Sequence, residues 1–289
     1  MFRLGVITDE ASTGFERALD VIGSLGLRDV EIHTLWDTHI EALSHEQVAN
    51  LRSLLAERGM SPVVLDSTVF LRCRLSGDDI PPSWSDRFQS IAGAYDQHLA
   101  WLERCLNTAH RLDSPLVRIF GFWRDGETTD AVVREIAARL REAVDMASGV
   151  GVRLALENCP HTYLDHTRRA LRVLRAIDSP WLRLLWDPSN AYRSGESDVV
   201  DVADEALPYL AHMHVKGIVL DEALPSGRQY VVIEKGEVDY RRLLGRLLEA
   251  GYEGVVSLEP HYALPEDGME GAARESFASL SRIIDSLKK

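Results

Sequence analysis

The chain has little of what would mark several common protein classes. Of its 289 residues only three are cysteine (Cys73, Cys105 and Cys159), and no two of them share a C-x-x-C spacing. An odd count without such spacing speaks against a disulfide framework; it suits reduced thiols in the cytoplasm, each acting as a small buried hydrophobe. Positive charge is also in deficit, with 32 Lys and Arg against 45 Asp and Glu and a formal net charge of −13. Nucleic acids and anionic membrane surfaces attract clustered Lys and Arg, so neither is expected as a main partner. No apolar run reaches the roughly 18 residues of a membrane-spanning helix, and the opening "MFRLGVITDE" has no signal-peptide layout. No G-x-G-x-x-G follows the first apolar run, where "GVITDEASTG" stands, which counts against a doubly wound dinucleotide fold. Linkers, low-complexity segments and short-period repeats are absent as well. Residues 1–289 therefore read as one domain of a cytoplasmic protein.

What is present is an ordinary globular composition, 45% hydrophobic and 27% charged, with a strong alternation of elements. Short β-branched runs stand near 3–8, 29–33, 61–66, 115–120, 152–157, 182–187, 210–215 and 254–259. Amphipathic stretches lie between them, including 44–58, 85–111, 128–149, 167–177, 239–250 and 270–287. Ser44 with Gln47 makes a capping box, Thr167 and Asp239 open their runs as N-caps, and Gly59, Gly149, Gly151 and Gly251 fall where helices should stop. Eight strand–helix units predict an α/β fold, a single (β/α)8 TIM barrel with its site at the C-terminal face of the strands. Two long connections, 67–84 and 217–238, follow the third and seventh strands and are expected to overhang that face as lids.

The run "LALENCP" at 154–160 ends on a carboxylate, Glu157. A buried carboxylate without a partner costs several kcal/mol, so a positive group is expected opposite it. Other strand ends supply similar residues. Asp187 closes the sixth strand ("LLWDPSN"), His214 lies on the seventh ("AHMHVKG") with His212 on the same face, and Glu259 closes the eighth ("VSLEPH"). Carboxylates with one imidazole at the catalytic rim suit a divalent ion such as Mn²⁺, Mg²⁺, Co²⁺ or Zn²⁺.

The motifs "ALEN", "WDPSN", "HMHVKG" and "KGEVDYRRLLGRLLEAGYEGVVSLEPH" resemble those of the xylose isomerase-like TIM barrels, and within them the sugar phosphate isomerase/epimerase group, over the whole chain. The resemblance implies one divalent metal ion held by Glu157, Asp187, His214 and Glu259; it selects His214 over His212 and makes Glu157 and Glu259 the acid–base pair. It also implies an isomerase or epimerase of a keto sugar or sugar phosphate, working by proton abstraction and a metal-stabilised enediolate. If the glutamates face each other across the substrate the outcome is epimerisation; return of the proton to the neighbouring carbon gives isomerisation. Many members carry a histidine three residues after the strand-six aspartate, whereas this chain has Asn190, which can hold a hydroxyl group but not titrate. That departure weighs against the endonuclease IV branch, which needs further histidines. A dehydratase of the dehydroshikimate type and a non-catalytic sugar-binding barrel are the alternatives on the same scaffold.

Further substrate-binding candidates line the same expected mouth. Lys216 points the same way as His214, Arg118 ends the fourth strand, and His33 shares a strand face with Glu31. Trp123 could pack on sugar C–H surfaces, as could Trp36, whereas Trp186 reads as core. Arg72 and Arg74 lie on the first long loop and Arg228 on the second, where they could clamp a phosphate. The expected partner is a small sugar-derived substrate, and self-association is left open.

Overall fold

The computed structural model describes residues 2–78 and 90–288. Eight strands, β1 (Arg3–Ile7), β2 (Asp29–Ile32), β3 (Ser61–Leu65), β4 (Leu116–Ile119), β5 (Arg153–Glu157), β6 (Leu182–Trp186), β7 (Leu210–Val215) and β8 (Val255–Leu258), pair in parallel and close into a barrel in chain order. Each lies within one residue, at either end, of the run read from the sequence.

Alternation along these strands separates two apolar compartments. Val117, Ile119, Leu154, Leu156, Leu184, Trp186, Met213, Val215, Val256 and Leu258 point outward and join the main core under the helices. Their neighbours Val63, Val64, Leu116, Ala155, Leu185 and Val255 form a separate cluster inside the barrel. Successive side chains of a strand face opposite ways, so an interior residue two positions further toward the C-terminus lies one layer higher. Leu116 is thus followed by Arg118, Ala155 by Glu157, Leu185 by Asp187, and Val255 by Ser257 and Glu259. Toward the C-terminal ends the interior positions change from apolar to ionisable, on β8 by way of Ser257.

Helices span Phe15–Ser24, His45–Glu57, Tyr95–Leu112, Asp130–Val150, Thr167–Ile177, Tyr240–Glu249 and Gly268–Leu287, and the β6–β7 connection contains the short helices Pro188–Arg193 and Ala203–Ala206 and a 3-10 turn, Leu207–Tyr209. Ser44 and Gln47 form the expected capping box, and Asp239 accepts from the Arg242 amide at 3.0 Å. Thr167 is not an N-cap: it is the first helical residue, and its amide donates to the distant Glu196 carboxylate at 2.8 Å. The helix expected to stop at Gly149 continues to Val150 and closes on Gly151 in the left-handed region. The stretch expected to be helical from 85 begins at Tyr95; residues 85–89 lie outside the described residues.

The two long connections differ from expectation. Residues 69–73 after β3 are packed into the structure, with the Val69 and Cys73 carbonyls accepting from the Phe120 and Trp123 amides at 3.0 and 2.8 Å, and 79–84 lie outside the described residues. The 217–238 connection is no structureless loop: Gly217–Leu220 and Arg228–Val231 make an antiparallel hairpin. Glycine is required at its base, because a Cβ on Gly217 would stand 2.3 Å from the Val231 carbonyl oxygen and one on Gly236 would stand 2.9 Å from the Gly217 Cα. Among the described residues no helix is long and apolar enough to cross a membrane.

Candidate active site at the barrel mouth

Glu157, Asp187, His214 and Glu259 are all buried, and each offers one ligand-type atom such that these atoms lie within 4.8 Å of one another. His214 Nδ1 is 3.8 Å from Glu157 Oε1 and 3.6 Å from Glu259 Oε2, and it is buried without a hydrogen-bond partner. Its other nitrogen, Nε2, is 3.0 Å from Glu31 Oε2, while Glu31 Oε1 is 2.8 Å from His212 Nε2. His212 also meets Ser257 Oγ at 3.1 Å and sits one layer deeper. Glu31 thus ties both imidazoles down and leaves only His214 Nδ1 facing the carboxylates.

The remaining polar contacts fix the carboxylates. Arg118 Nη1 donates to Glu157 Oε2 at 3.2 Å, and the rest of its guanidinium is held by the Ser67 and Asp66 carbonyls, both at 3.1 Å. Asn190 Nδ2 donates to Glu157 Oε1 at 3.1 Å, and the Asn190 amide donates to Asp187 Oδ1 at 2.8 Å. Lys216 Nζ lies 2.6 Å from Asp187 Oδ2 and donates to Glu259 Oε2. Asn158, from the "ALEN" motif, exchanges two hydrogen bonds of 2.8 and 2.9 Å with the Asp187 backbone and so joins the ends of β5 and β6.

The electrostatics follow from three carboxylates in one buried space. Burial pushes the Asp187 carboxyl up to about 6, against Lys216, and Glu259 and Glu157 add to the rise. Burial also raises Glu259, but Lys216, His261 and His214 hold its carboxyl below the usual range. For His214 burial opposes the charge, yet Glu31 and Glu259 bring the imidazole well above its ordinary value. The field at Nδ1 draws positive charge. A buried imidazole nitrogen without a partner, facing three carboxylates at these separations, fits a divalent cation: bonds of about 2 Å place ligand atoms about 3 to 4 Å apart.

Above this group opens a cavity of about 640 Å³, lined by Glu157 and Glu259 together with His33, Arg118, Asn190, Lys216 and Arg228 among the residues read from the sequence. Asp187 and His214 lie beneath it. His33 is held by Asp9 at 2.7 Å. Trp123 is a correction: it is not part of the lining, because its ring stacks on His161 at 5.8 Å and His161 takes the wall position. Trp36 packs edge-on against Phe15, and Trp186 is fully buried. Arg74 pairs with Asp125 at 3.6 Å outside the lining, where Arg72 is also absent.

Sequence reasoning missed several lining residues: Glu10, His161, Arg193, Tyr230 and His261. His261 Nε2 is 3.4 Å from Glu259 Oε1, while its Nδ1 meets Glu10 Oε1 at 2.6 Å. Burial disfavours its charge, but Glu259 and Glu10 raise it to about 9. Its place in "LEPH", two residues after Glu259, was the available signal.

A closed parallel barrel with three carboxylates and an imidazole converging below a polar cavity at the strand C-termini has the architecture of a barrel with a candidate metal site. The chain belongs to the xylose isomerase-like TIM barrel family, whose model matches residues 19–283. A relative is L-ribulose-5-phosphate 3-epimerase UlaE of Escherichia coli O139:H28, 26% identical over 141 residues that make up 49% of this chain and 48% of the relative. The chain thus spans about half the length of the curated relatives it matches. Among solved structures, the IOLI protein with a bound zinc atom superposes with a TM-score of 0.76 at 17% identity, covering 99% of both chains. A D-tagatose 3-epimerase-like protein superposes with a TM-score of 0.74 at 17% identity, covering 99% of this chain and 98% of the other. At these identities the structural likeness is one of fold.

Proposed function

We propose that the protein is a divalent-metal-dependent isomerase or epimerase of a keto sugar or sugar phosphate. The observation that carries this reading is the convergence of Glu157, Asp187, His214 and Glu259, with His214 Nδ1 buried and unpartnered among the carboxylates. The 3-epimerase activity in the name of the UlaE relative supports the same reaction class.

Glu157, Asp187, His214 and Glu259 would hold the ion. When bound, a cation there would polarise a substrate carbonyl and lower the cost of negative charge on its oxygen. Glu157 and Glu259 line the cavity while Asp187 and His214 do not, so only the two glutamates of the set reach a substrate carbon. Either glutamate can take the proton from the carbon beside the carbonyl, and the other can return one from a different direction. Arg118 and Asn190 orient the Glu157 carboxylate through both of its oxygens. Lys216 holds Glu259 through Oε2 alone and stays cationic: burial opposes its charge, but Asp187 and Glu259 raise its ammonium well above the ordinary value. Because Lys216 lines the cavity, it also offers a donor to a substrate hydroxyl or to the developing enediolate oxygen.

The test is incubation of the protein with Mn²⁺ and a panel of ketopentoses, ketohexoses and their phosphates in deuterium oxide. Deuterium appearing at the carbon next to the carbonyl, with formation of an epimer or aldose, is the expected result. Release of a conjugated ultraviolet-absorbing product instead would make the protein a dehydratase, and no exchange with any ketose would leave a binding protein.

A further inference from the structure

The cavity lining carries charged residues of two kinds. Asp9 is paired with His33 at 2.7 Å and Glu10 with His261 at 2.6 Å, so each acidic group has a basic neighbour. The second kind is Arg193, at the end of the short helix after β6, and Arg228, on the second strand of the hairpin after β7. Carboxylates pair with many arginines of this acidic chain, as in Arg17–Glu270, Arg124–Asp165 and Arg168–Asp198. Among the described residues neither Arg193 nor Arg228 has such a partner. Arg228 donates through Nη1 to the Ser226 carbonyl at 2.9 Å and through Nε to the Tyr230 hydroxyl at 3.4 Å, and its guanidinium lies 5.7 Å from the Tyr230 ring centre.

The positive field there is visible on neighbouring groups. Burial lowers the His161 imidazole to about 4, and the charges of Arg193, Arg228 and Arg124 push it the same way. The Arg193 guanidinium is itself lowered, first by burial and also by Arg228, although the neighbouring Tyr230 hydroxyl favours its charge. Bringing two guanidiniums to one half-buried wall without a carboxylate between them costs free energy unless an anion arrives with the ligand. Planar guanidinium forks match the oxygens of phosphate or carboxylate.

We propose that Arg193 and Arg228 form an anion subsite, so that the substrate is a ketose carrying a phosphate or carboxylate group away from its reacting carbons. This rests on the reading of the cavity as a keto-sugar site. It names a substrate class that the metal-type cluster alone leaves open, and it gives the hairpin a role: Arg228 reaches the cavity only because Gly217–Leu220 folds back on Arg228–Val231.

The test is calorimetric binding to the Mn²⁺-supplemented protein of three probes: a neutral ketopentose, its 5-phosphate and a ketohexuronate. One of the charged probes is expected to bind about tenfold or more tightly than the neutral one, and whichever wins identifies the anion. The preference should fall severalfold in about 0.5 M NaCl, a readout on the wild-type protein that needs no folded variant. It should shrink to within about threefold in Arg193→Gln and in Arg228→Gln, and Arg228→Lys should restore part of it. Equal binding of all three probes, a preference indifferent to salt, or one that survives both glutamine substitutions would overturn the subsite. Turnover measured on the same samples keeps the two readings apart. A charge preference without any proton exchange supports the subsite and strikes the isomerase reading, whereas turnover of ketoses without a charge preference strikes the subsite alone.

Discussion

The lower and upper layers of the barrel interior are built on the same strands, the ionisable residue standing two positions past the apolar one on β4, β5 and β6 and four positions past it on β8. Leu116, Ala155, Leu185 and Val255 below form a closed apolar plug with Val63 and Val64. Arg118, Glu157, Asp187 and Glu259 above them are equally buried but ionisable. The lower layer is held by burial of apolar surface, which is non-directional. Charges in the upper layer are tolerated only because each is tied: Glu157 by Arg118 and Asn190, Glu259 by Lys216, and His214 by Glu31. The lower layer adds stability, whereas the upper layer carries the cost of burying charge. Substitutions in the two layers should therefore fail in different ways.

The largest effect is expected above. Glu157→Gln and Glu259→Gln each keep the side-chain shape but remove the proposed proton acceptor, and should lower turnover of a ketose by about a hundred- to ten-thousandfold. Turnover within about threefold of wild type in both would remove the acid–base assignment. Below, Leu185→Ala leaves a hole among side chains that cannot collapse, and should cost about 2 to 5 kcal/mol in urea unfolding while metal binding survives in the folded fraction.

A buried imidazole outside both layers sharpens the contrast between tied and untied charge. His98 Nδ1 accepts from the Phe70 amide at 3.0 Å, and its Nε2 faces the Arg72 carbonyl at 3.3 Å, so the ring is a neutral tautomer. Burial lowers it from 6.5 to about 4. A depressed histidine contributes stability that is fully present above the unfolded value and is lost as pH falls through the folded one. About 3 kcal/mol should therefore disappear between pH 6.5 and 4, and this part of the slope should be missing in His98→Gln. Smallest is Glu31→Gln: it disturbs the anchoring of His214 Nε2 and should weaken Mn²⁺ binding about ten- to a hundredfold, read by titration calorimetry.

How much of this was legible in the sequence depended on whether a residue's place is set by local periodicity. The strand pattern put Glu157, Asp187, His214 and Glu259 at one rim, and the closed barrel brings them within reach of one another. His212 and His214 face the same way and are both held by Glu31 from the distant β2; what separates them is the pair of glutamates, Glu157 and Glu259, that only His214 Nδ1 faces. Residues beyond the strand ends were less readable. Arg193 ends a helix of a single short turn or so, Tyr230 depends on a hairpin read as open loop, and His261 adopts a left-handed backbone with φ of 59° that no periodic pattern announces. Trp123 sits beside a strand end as expected, but its ring found His161 rather than the cavity. Thr167 failed as a cap for the same reason: the acceptor for its helix comes from Glu196, far along the chain.

The central claim is that four side chains from four successive strands grip a single dication. Elemental analysis combined with Mn²⁺ titration of the wild-type protein and of a Glu157→Gln, Glu259→Gln double variant tests it most directly. One ion per chain in the wild type and none in the variant is the predicted result; no binding to the folded wild-type protein, or an ion bound equally well by both, would contradict it.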